Sequence, residues 1–394
     1  MALGIYISVP FCKTKCSYCN FASDVFSQAV FGRYVERVCA DIGDAERIAA
    51  EMGGQIEHQV DSIYLGGGTP TVLDAGQLER IFSAVRSQFD VRPEAEVTVE
   101  CAPGTLTPLV LASLKRCGVN RVSLGVQSFV DAEAAAVGRQ HKRGTVLKDI
   151  NHLREAGIAN INVDLIAGLP HQTPGSWEFS LAEAIATGVP HLSVYMLEVD
   201  EDSRLGRELL AGGTRYHAHF VPDEEATADF YLAACEQLES AGIAQYEISN
   251  FACAGCESRH NFKYWTGQPY LGFGVDAHSM LIATTDAEAV RFSTVDVLEH
   301  YVAGADLSRT LVSRQAALEE NFFLGLRLAR GINLRELSAH FGGKELETAR
   351  RTIAECVADK LLEEDGDSVR LTPRGRLLSN EVFQRFLLTG DVVH

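Results

Sequence analysis

The first 250 residues alternate short apolar runs with longer amphipathic stretches. Six of the runs are rich in Val, Ile and Leu and almost continuously apolar, as expected of parallel strands covered on both faces. They span residues 5–10, 62–67, 96–100, 121–126, 160–166 and 191–198. Helical stretches lie between them, at residues 76–89, 108–117, 145–156 and 176–187. Consecutive βα units predict an α/β fold with a parallel sheet.

Unusual residues stand at the ends of these predicted strands. A group of cysteines follows the first strand, three glycines at residues 66–68 follow the second, and Glu100 ends the third. Gln127 follows the fourth strand, and Asp164 lies in the fifth. The carboxyl ends of strands converge on one mouth in a barrel but lie along a line in an open sheet. We therefore favour a partial (β/α)6 barrel over a doubly wound sheet.

The pattern changes beyond the predicted barrel. A helix at residues 224–242 and a strand at 244–252 are followed by a segment, 255–274, that is dense in aromatic residues and glycine. From about residue 318 the order of elements resembles a winged-helix α+β module, with helices at 333–341, 346–362 and 376–387 and a β-ribbon around 365–372. We predict a barrel at 1–250, an aromatic extension at 251–317 and a C-terminal module at 318–394.

Charge and hydropathy narrow the classes of partner. The chain has 35 basic and 53 acidic residues, a net charge of −18, which argues against nucleic acid or an anionic membrane as the main partner. Residues 333–394 carry nine basic and eleven acidic residues, so an interaction or lid role suits the module better than DNA binding. No apolar run is long enough to span a bilayer and the start lacks a basic signal region, which predicts a cytoplasmic protein without an integral membrane segment.

Three of the ten cysteines, Cys12, Cys16 and Cys19, form a C-x3-C-x2-C motif. Ten cysteines are too sparse in this chain for a disulfide framework. A zinc site needs four ligands, and no second pair of matching spacing is evident. Three thiolates can instead hold three irons of a 4Fe-4S cluster and leave the fourth iron open to another ligand. Neighbouring lysines argue against three buried cysteines that are close together by chance.

The motif, with Tyr18 before its last cysteine, resembles the signature of radical S-adenosyl-L-methionine (SAM) enzymes. Other segments resemble the oxygen-independent coproporphyrinogen III oxidase group of that superfamily, and the resemblance covers essentially the whole chain. These segments are residues 6–12 (YISVPFC), 66–70 (GGGTP), 125–129 (GVQSF), 168–170 (GLP), 246–251 (YEISNF) and 260–265 (HNFKYW).

This resemblance implies a 4Fe-4S cluster whose open iron binds SAM, and an electron from the cluster that cleaves SAM to a 5′-deoxyadenosyl radical. It also implies a set of SAM-binding residues, namely Tyr6, Tyr18, Gly67, Gly68, Thr69, Glu100, Gln127, Arg139 and Asp164. The chain departs from the family at two points. Ser8 stands where histidine is common, and Glu100 is followed by Cys101-Ala102-Pro103 where Ala-Asn-Pro is frequent.

Two subgroups share this scaffold. The oxidases carry a further cysteine two residues after the motif and a long N-terminal extension, whereas this chain has Phe21 there and eleven residues before Cys12. The segment His260-Asn261-x-x-Tyr264-Trp265 resembles the haem-binding motif of HemW-type haem chaperones, and imidazole is a common axial ligand of haem iron. The resemblance therefore predicts a protein that binds the cluster, SAM and haem and transfers haem to acceptor proteins. An oxygen-independent coproporphyrinogen III oxidase is the alternative.

Two further features are left open by the sequence. Cys253 and Cys256 form a C-x2-C pair close to His260, and structural or incidental thiols are favoured there over a second metal site or haem ligands. The sequence does not decide whether the chain forms a homodimer.

Overall fold

The computed structural model of the chain describes residues 1–387. Within these residues one large sheet and one small sheet account for the strands. The strands are β1 (Leu3–Val9), β2 (Gly54–Gln55), β3 (Gln59–Gly67), β4 (Asp90–Cys101), β5 (Arg121–Gln127), β6 (Asn160–Ala167), β7 (His191–Met196), β8 (Ala244–Glu247), β9 (Asn250–Ala252), β10 (Tyr270–Gly274), β11 (His278–Ala283), β12 (Ala289–Ser293), β13 (Ser308–Val312), β14 (Ile332–Asn333), β15 (Leu362–Asp365) and β16 (Ser368–Leu371).

The helices cover both parts of the chain. They are α1 (Phe31–Gly43), α2 (Ala45–Met52), α3 (Ala75–Gln88), α4 (Pro108–Arg116), α5 (Asp131–Ala136), α6 (Arg143–Glu155), α7 (Pro174–Ala186), α8 (Arg204–Ala211), α9 (Glu224–Ser240), α10 (Arg259–Trp265), α11 (Leu298–Ala303), α12 (Arg314–Gly325), α13 (Leu334–Phe341), α14 (Leu346–Ala358), α15 (Pro373–Leu377) and α16 (Ser379–Gln384). Short 3-10 helices lie at Gln28–Val30, Pro70–Val72 and Ala218–Phe220.

The large sheet has the strand order β13-β12-β11-β10-β1-β3-β4-β5-β6-β7-β9-β8, and β2 pairs with β11. The strands from β10 to β7 in this order are all parallel. The two ends of the order, β13 and β8, do not pair with each other in the described part of the chain. The predicted α/β fold with a partial barrel is therefore confirmed, and the parallel strands are buried on both faces as their apolar runs predicted.

Local signals in the sequence explain where the barrel helices begin and end. At the start of α3, the Asp74 side chain accepts a hydrogen bond from the Gln77 amide at 2.8 Å, and the Gln77 side chain accepts one from the Asp74 amide at 3.0 Å. Gly118, Gly157 and Gly188 end α4, α6 and α7 at positive φ, where a side chain would strain the backbone.

Several predicted elements differ from the structure. The segment 244–252 was expected to be one strand but is the antiparallel hairpin of β8 and β9. The helix predicted at 346–362 ends at Ala358, and the one predicted at 376–387 is the pair α15 and α16, which meet at Leu378. The aromatic and glycine-rich segment contributes β10, which pairs with β1 and continues the barrel sheet.

Two hydrophobic cores lie in the described chain. The larger contains the barrel strands with their helices and extends to Tyr301, and the smaller joins α12–α16 and the β14–β16 sheet to Ile248. The domain boundaries predicted after residues 250 and 317 stay predictions, and residues 388–394 lie outside the described residues. No described helix combines the length and the apolar character needed to cross a membrane.

Candidate functional site

The cysteine motif lies on the loop that leaves β1. The Cys12 amide donates to the Asp24 carbonyl and the Asp24 amide to the Pro10 carbonyl, each at 3.0 Å, so the two ends of the loop are pinned together. The Leu205 amide of α8 donates to the Ser17 carbonyl at 2.8 Å. The loop is thus held between the end of β1 and a helix that comes from beyond β7.

The thiols of this loop are suitable donors for an iron–sulfur cluster. Cys12, Cys16 and Cys19 are all free of disulfides. A Cβ atom on Gly68 would lie 3.1 Å from Cys12 Sγ, so glycine leaves space beside that sulfur. No three Cys, His, Asp or Glu side chains within residues 1–387 already stand in a metal-binding arrangement, so the thiols must converge when a cluster binds. Three free thiols on one pinned loop fit the cluster chemistry.

The glycine-rich loop after β3 packs closely against the start of the cysteine loop. Gly67 has a φ of +98°, and a Cβ atom on it would lie 2.9 Å from Ser8 Oγ. A Cβ atom on Gly68 would lie 2.7 Å from the Phe11 carbonyl oxygen. The Thr69 amide donates to that same carbonyl at 2.7 Å. Glycine is therefore required at both positions, and the bare backbone allows a polar ligand to approach closely.

Two carboxyl groups face the interior of the barrel. Tyr64 OH donates to Glu100 Oε1 at 2.8 Å, and Asp164 accepts from Ser123 Oγ at 3.0 Å and from the Asn162 amide at 2.7 Å. Burial raises the pKa of Glu100 to about 7, with a further upward contribution from Asp164. Burial also raises the pKa of Asp164. The interior therefore holds acidic groups whose charge depends on what binds beside them.

Two polar side chains near the carboxyl ends of the strands lack partners. Gln127 lies at a bulge in β5 with a φ of 69°, a strained conformation for a side-chain-bearing residue, and its buried Oε1 accepts no hydrogen bond. Arg139 donates through Nη2 to Tyr18 OH at 3.1 Å, whereas its buried Nε has no partner. Buried polar atoms are normally satisfied, so these two fit a polar ligand such as SAM.

Tyr6 connects this region with α10 at the other end of β1. Its ring lies 6.2 Å from that of Tyr64 and 6.4 Å from that of His260. His260 is 1% exposed and stacks on Tyr64 at 5.4 Å. Burial lowers the pKa of His260 to about 3, and the nearby Lys263 ammonium adds to this effect. His260 is consequently a neutral, enclosed imidazole near the amino end of β1.

Both ring nitrogens of His260 are engaged within the protein. Nδ1 lies 3.0 Å from Ser62 Oγ, and Nε2 lies 2.9 Å from Tyr264 OH. The other motif residues take different positions. The Asn261 amide donates to Ser258 Oγ at 3.3 Å at the start of α10, and the Arg327 guanidinium lies 4.4 Å from the centre of the Trp265 ring. The motif therefore forms one short, anchored helix, in which His260 is the least accessible ring.

A cavity of ≈ 280 Å³ connects the two groups of residues. Tyr6 and Gly67 line it on the cofactor side, Tyr264 lines it on the α10 side, and Tyr270 and His278 close it from β10 and β11. Sequence reasoning did not single out Tyr64, Tyr270 or His278. The only available signal was an isolated aromatic or histidine in an apolar run, which by itself indicates packing.

The structure thus brings Tyr6, Gly67, Gly68, Thr69, Glu100, Gln127 and Asp164 to one interior face, with Tyr18 and Arg139 paired beside the cysteine loop. Comparisons with known proteins agree with this geometry. The Radical SAM superfamily model matches residues 6–184, and the HemN C-terminal domain model matches residues 312–378. Coproporphyrinogen III oxidase (HemN) from Escherichia coli, a radical SAM enzyme, has the same fold, with a TM-score of 0.82 at 24% identity over 98% of this chain and 90% of that one.

Curated relatives match nearly the whole chain. Heme chaperone HemW of Bacillus subtilis is 34% identical over 97% of this chain and 98% of its own length. Heme chaperone HemW of Lactococcus lactis is 32% identical over 97% of both chains, and that of Escherichia coli is 29% identical over 98% of both. Similarity of this extent, together with the radical SAM match, shows that the chain belongs to the HemW family of the radical SAM superfamily.

Proposed function

We propose that this protein is a haem chaperone, which binds haem on a scaffold that also holds a 4Fe-4S cluster and SAM, and which passes haem to acceptor proteins. The observation that carries the proposal is the near full-length similarity to proteins named Heme chaperone HemW. The proposal includes a cytoplasmic location and leaves a homodimer as a point for measurement.

The chain supplies a clear division of labour for the two cofactors. Cys12, Cys16 and Cys19 would hold the cluster, and the tight glycine loop at residues 66–68 would admit SAM close to the backbone. When bound together, the two cofactors supply the reductive radical chemistry of the superfamily. Gln127 Oε1 and Arg139 Nε, both buried without partners, would orient the polar groups of SAM, and the surrounding barrel would exclude water.

The sequence at the cysteine loop favours the chaperone over the oxidase alternative. Phe21 stands where the oxidases have a further cysteine, and its side chain is 63% exposed at the edge of the cavity. An exposed aromatic ring there offers an apolar surface to a flat ligand rather than a thiol for chemistry. The likeness to coproporphyrinogen III oxidase, at 24% identity, carries the fold alone.

Side-by-side assays on the anaerobically reconstituted full chain test the proposal. We expect a saturable change of the haem Soret band on titration and loss of that band to a haem-free globin added as acceptor. We expect no conversion of coproporphyrinogen III to protoporphyrinogen IX. Turnover without saturable haem binding would establish the oxidase instead. Size-exclusion chromatography of the same samples, with and without haem, reports the oligomeric state.

The pKa of Glu100 leads to a pH-dependent affinity for SAM. If ionised Glu100 accepts hydrogen bonds from SAM, the affinity is expected to rise by up to about tenfold per pH unit as the pH approaches about 7 from below. In the absence of ligand the sign is opposite for stability, because a raised carboxyl pKa favours the protonated folded state, so stability falls as the pH rises towards about 7.

Calorimetric titration of SAM in two buffers that differ in ionisation enthalpy measures this coupling. Below about pH 7 we expect the wild-type protein to release protons on binding. The amino group of SAM titrates at a slightly higher pH, so a Glu100→Gln variant is the control that separates the two groups. Proton release that is equal in both proteins would contradict the role of Glu100.

A further inference from the structure

We infer that His278, and not His260, is the axial ligand of haem iron, and that haem lies against the aromatic cavity beside the cysteine loop. This inference rests on the proposed haem-binding function and names the position and ligand of that site. The residues that carry it are His278 and Asp276 on one rim, Phe21 on the opposite rim, and the rings of Tyr6, Tyr264 and Tyr270 between them.

The walls of the cavity have the chemistry that a porphyrin face requires. Three tyrosine rings line it, and Tyr264 and Tyr270 meet edge to face at 4.6 Å between centroids. A volume of ≈ 280 Å³ admits only part of a macrocycle, and the exposed ring of Phe21 extends the apolar surface outwards from the rim. An exposed aromatic residue that adjoins a partly apolar cavity is typical of a binding surface for a flat hydrophobic ligand.

His260 is poorly placed to reach iron on this surface. Its ring is 1% exposed, and its two nitrogens already lie at hydrogen-bonding distance from Ser62 Oγ and Tyr264 OH. Ligation would remove a hydrogen bond from a buried hydroxyl and would require the ring to leave its stack on Tyr64. Through its contact with the hydroxyl, His260 holds the Tyr264 ring in the cavity wall. We assign it as a positioning residue.

His278 has the opposite properties. Its side chain is 68% exposed at the rim, while its backbone is fixed by pairing with Ser293. A Cβ atom on Gly272 would lie 2.2 Å from the His278 carbonyl oxygen, so β10 and β11 pack tightly at this point. Asp276 Oδ1 lies 3.7 Å from His278 Nε2, close enough to orient the ring so that Nδ1 faces a ligand. Asp276 itself has a positive φ of 54°.

Haem titrations of the full chain, with ferric haem as the probe, test the assignment. We expect His278→Ala to weaken haem affinity by roughly tenfold or more, as when a metal site loses a ligand, and to remove the histidine-ligated features of the absorption and electron paramagnetic resonance spectra. Free imidazole added to His278→Ala is expected to restore those features. The matched control is His58→Ala, which removes another exposed histidine and is expected to leave both readouts unchanged.

A His260→Gln variant completes the set. Glutamine can keep contacts with Ser62 and Tyr264, so we expect histidine-ligated spectra with a modest loss of affinity. The assignment is overturned if His278→Ala keeps the wild-type spectrum and affinity, or if a folded His260→Gln protein loses the histidine-ligated spectrum. A wild-type chain that shows no saturable binding overturns the proposed function, and the assignment with it.

Discussion

Replacement of Cys16 by alanine is expected to abolish assembly of the iron–sulfur cluster. The three cysteines of the loop are the donor set that the C-x3-C-x2-C motif provides, and two thiolates cannot hold a cluster that also needs an open iron for SAM. After anaerobic reconstitution and desalting, we expect the variant to lose the visible charge-transfer absorption and nearly all bound iron and sulfide. Iron and sulfide per chain are the quantities to measure.

Cys117→Ala is the matched control, because Cys117 is also a buried free thiol but lies at the end of α4, away from the loop. It is expected to keep the wild-type content of iron and sulfide. A cluster that persists in Cys16→Ala, at wild-type content, would show that this thiol is not a ligand. Loss of the cluster in both variants would indicate a general loss of stability instead.

The barrel was the part of the fold that the sequence predicted best. Its strands are almost continuously apolar, which is a strong local signal because parallel strands are buried on both faces. The position of β10 was not predicted. Its five residues, YLGFG, carry no clear periodicity, and its partner β1 lies at the far end of the chain. Pairing over such a distance leaves no local trace in the sequence.

The candidate site was predicted to a similar degree, and for a similar reason. Gln127, Glu100 and Asp164 were expected near one another because parallel strands carry them to the same end of the barrel. The burial of His260 was not predictable, because it depends on Ser62, which the fold brings from a strand almost 200 residues away. The motif suggests a chemistry, whereas only the packing shows which of its side chains are accessible.

Loss of the Glu96 carboxylate is expected to destabilise the protein more than any single change on α10 itself. Glu96 is 5% exposed and accepts hydrogen bonds from the Arg259 and His260 amides, each at 3.1 Å, which are unpaired amides of the first helical turn. It also faces Arg121, which is 2% exposed, across 3.9 Å. Glu96→Ala would leave a buried guanidinium without its counter-charge, a loss of about 3–5 kcal/mol.

Equilibrium unfolding in denaturant measures this effect. The chain has two tryptophans, Trp177 in the barrel core and Trp265 on α10, so a Trp177→Phe background makes fluorescence report on α10 alone. We expect Glu96→Ala to move the Trp265 transition to lower denaturant than the far-ultraviolet circular dichroism transition, because α10 loses its anchor first. Glu94→Ala removes a nearby exposed carboxylate and is expected to leave both transitions in place. Glu96→Gln keeps acceptor geometry without the charge, so an effect between the two is expected. Should Glu96→Ala and Glu94→Ala unfold alike, the hydrogen bonds from α10 to Glu96 would not be what holds the motif helix against the barrel.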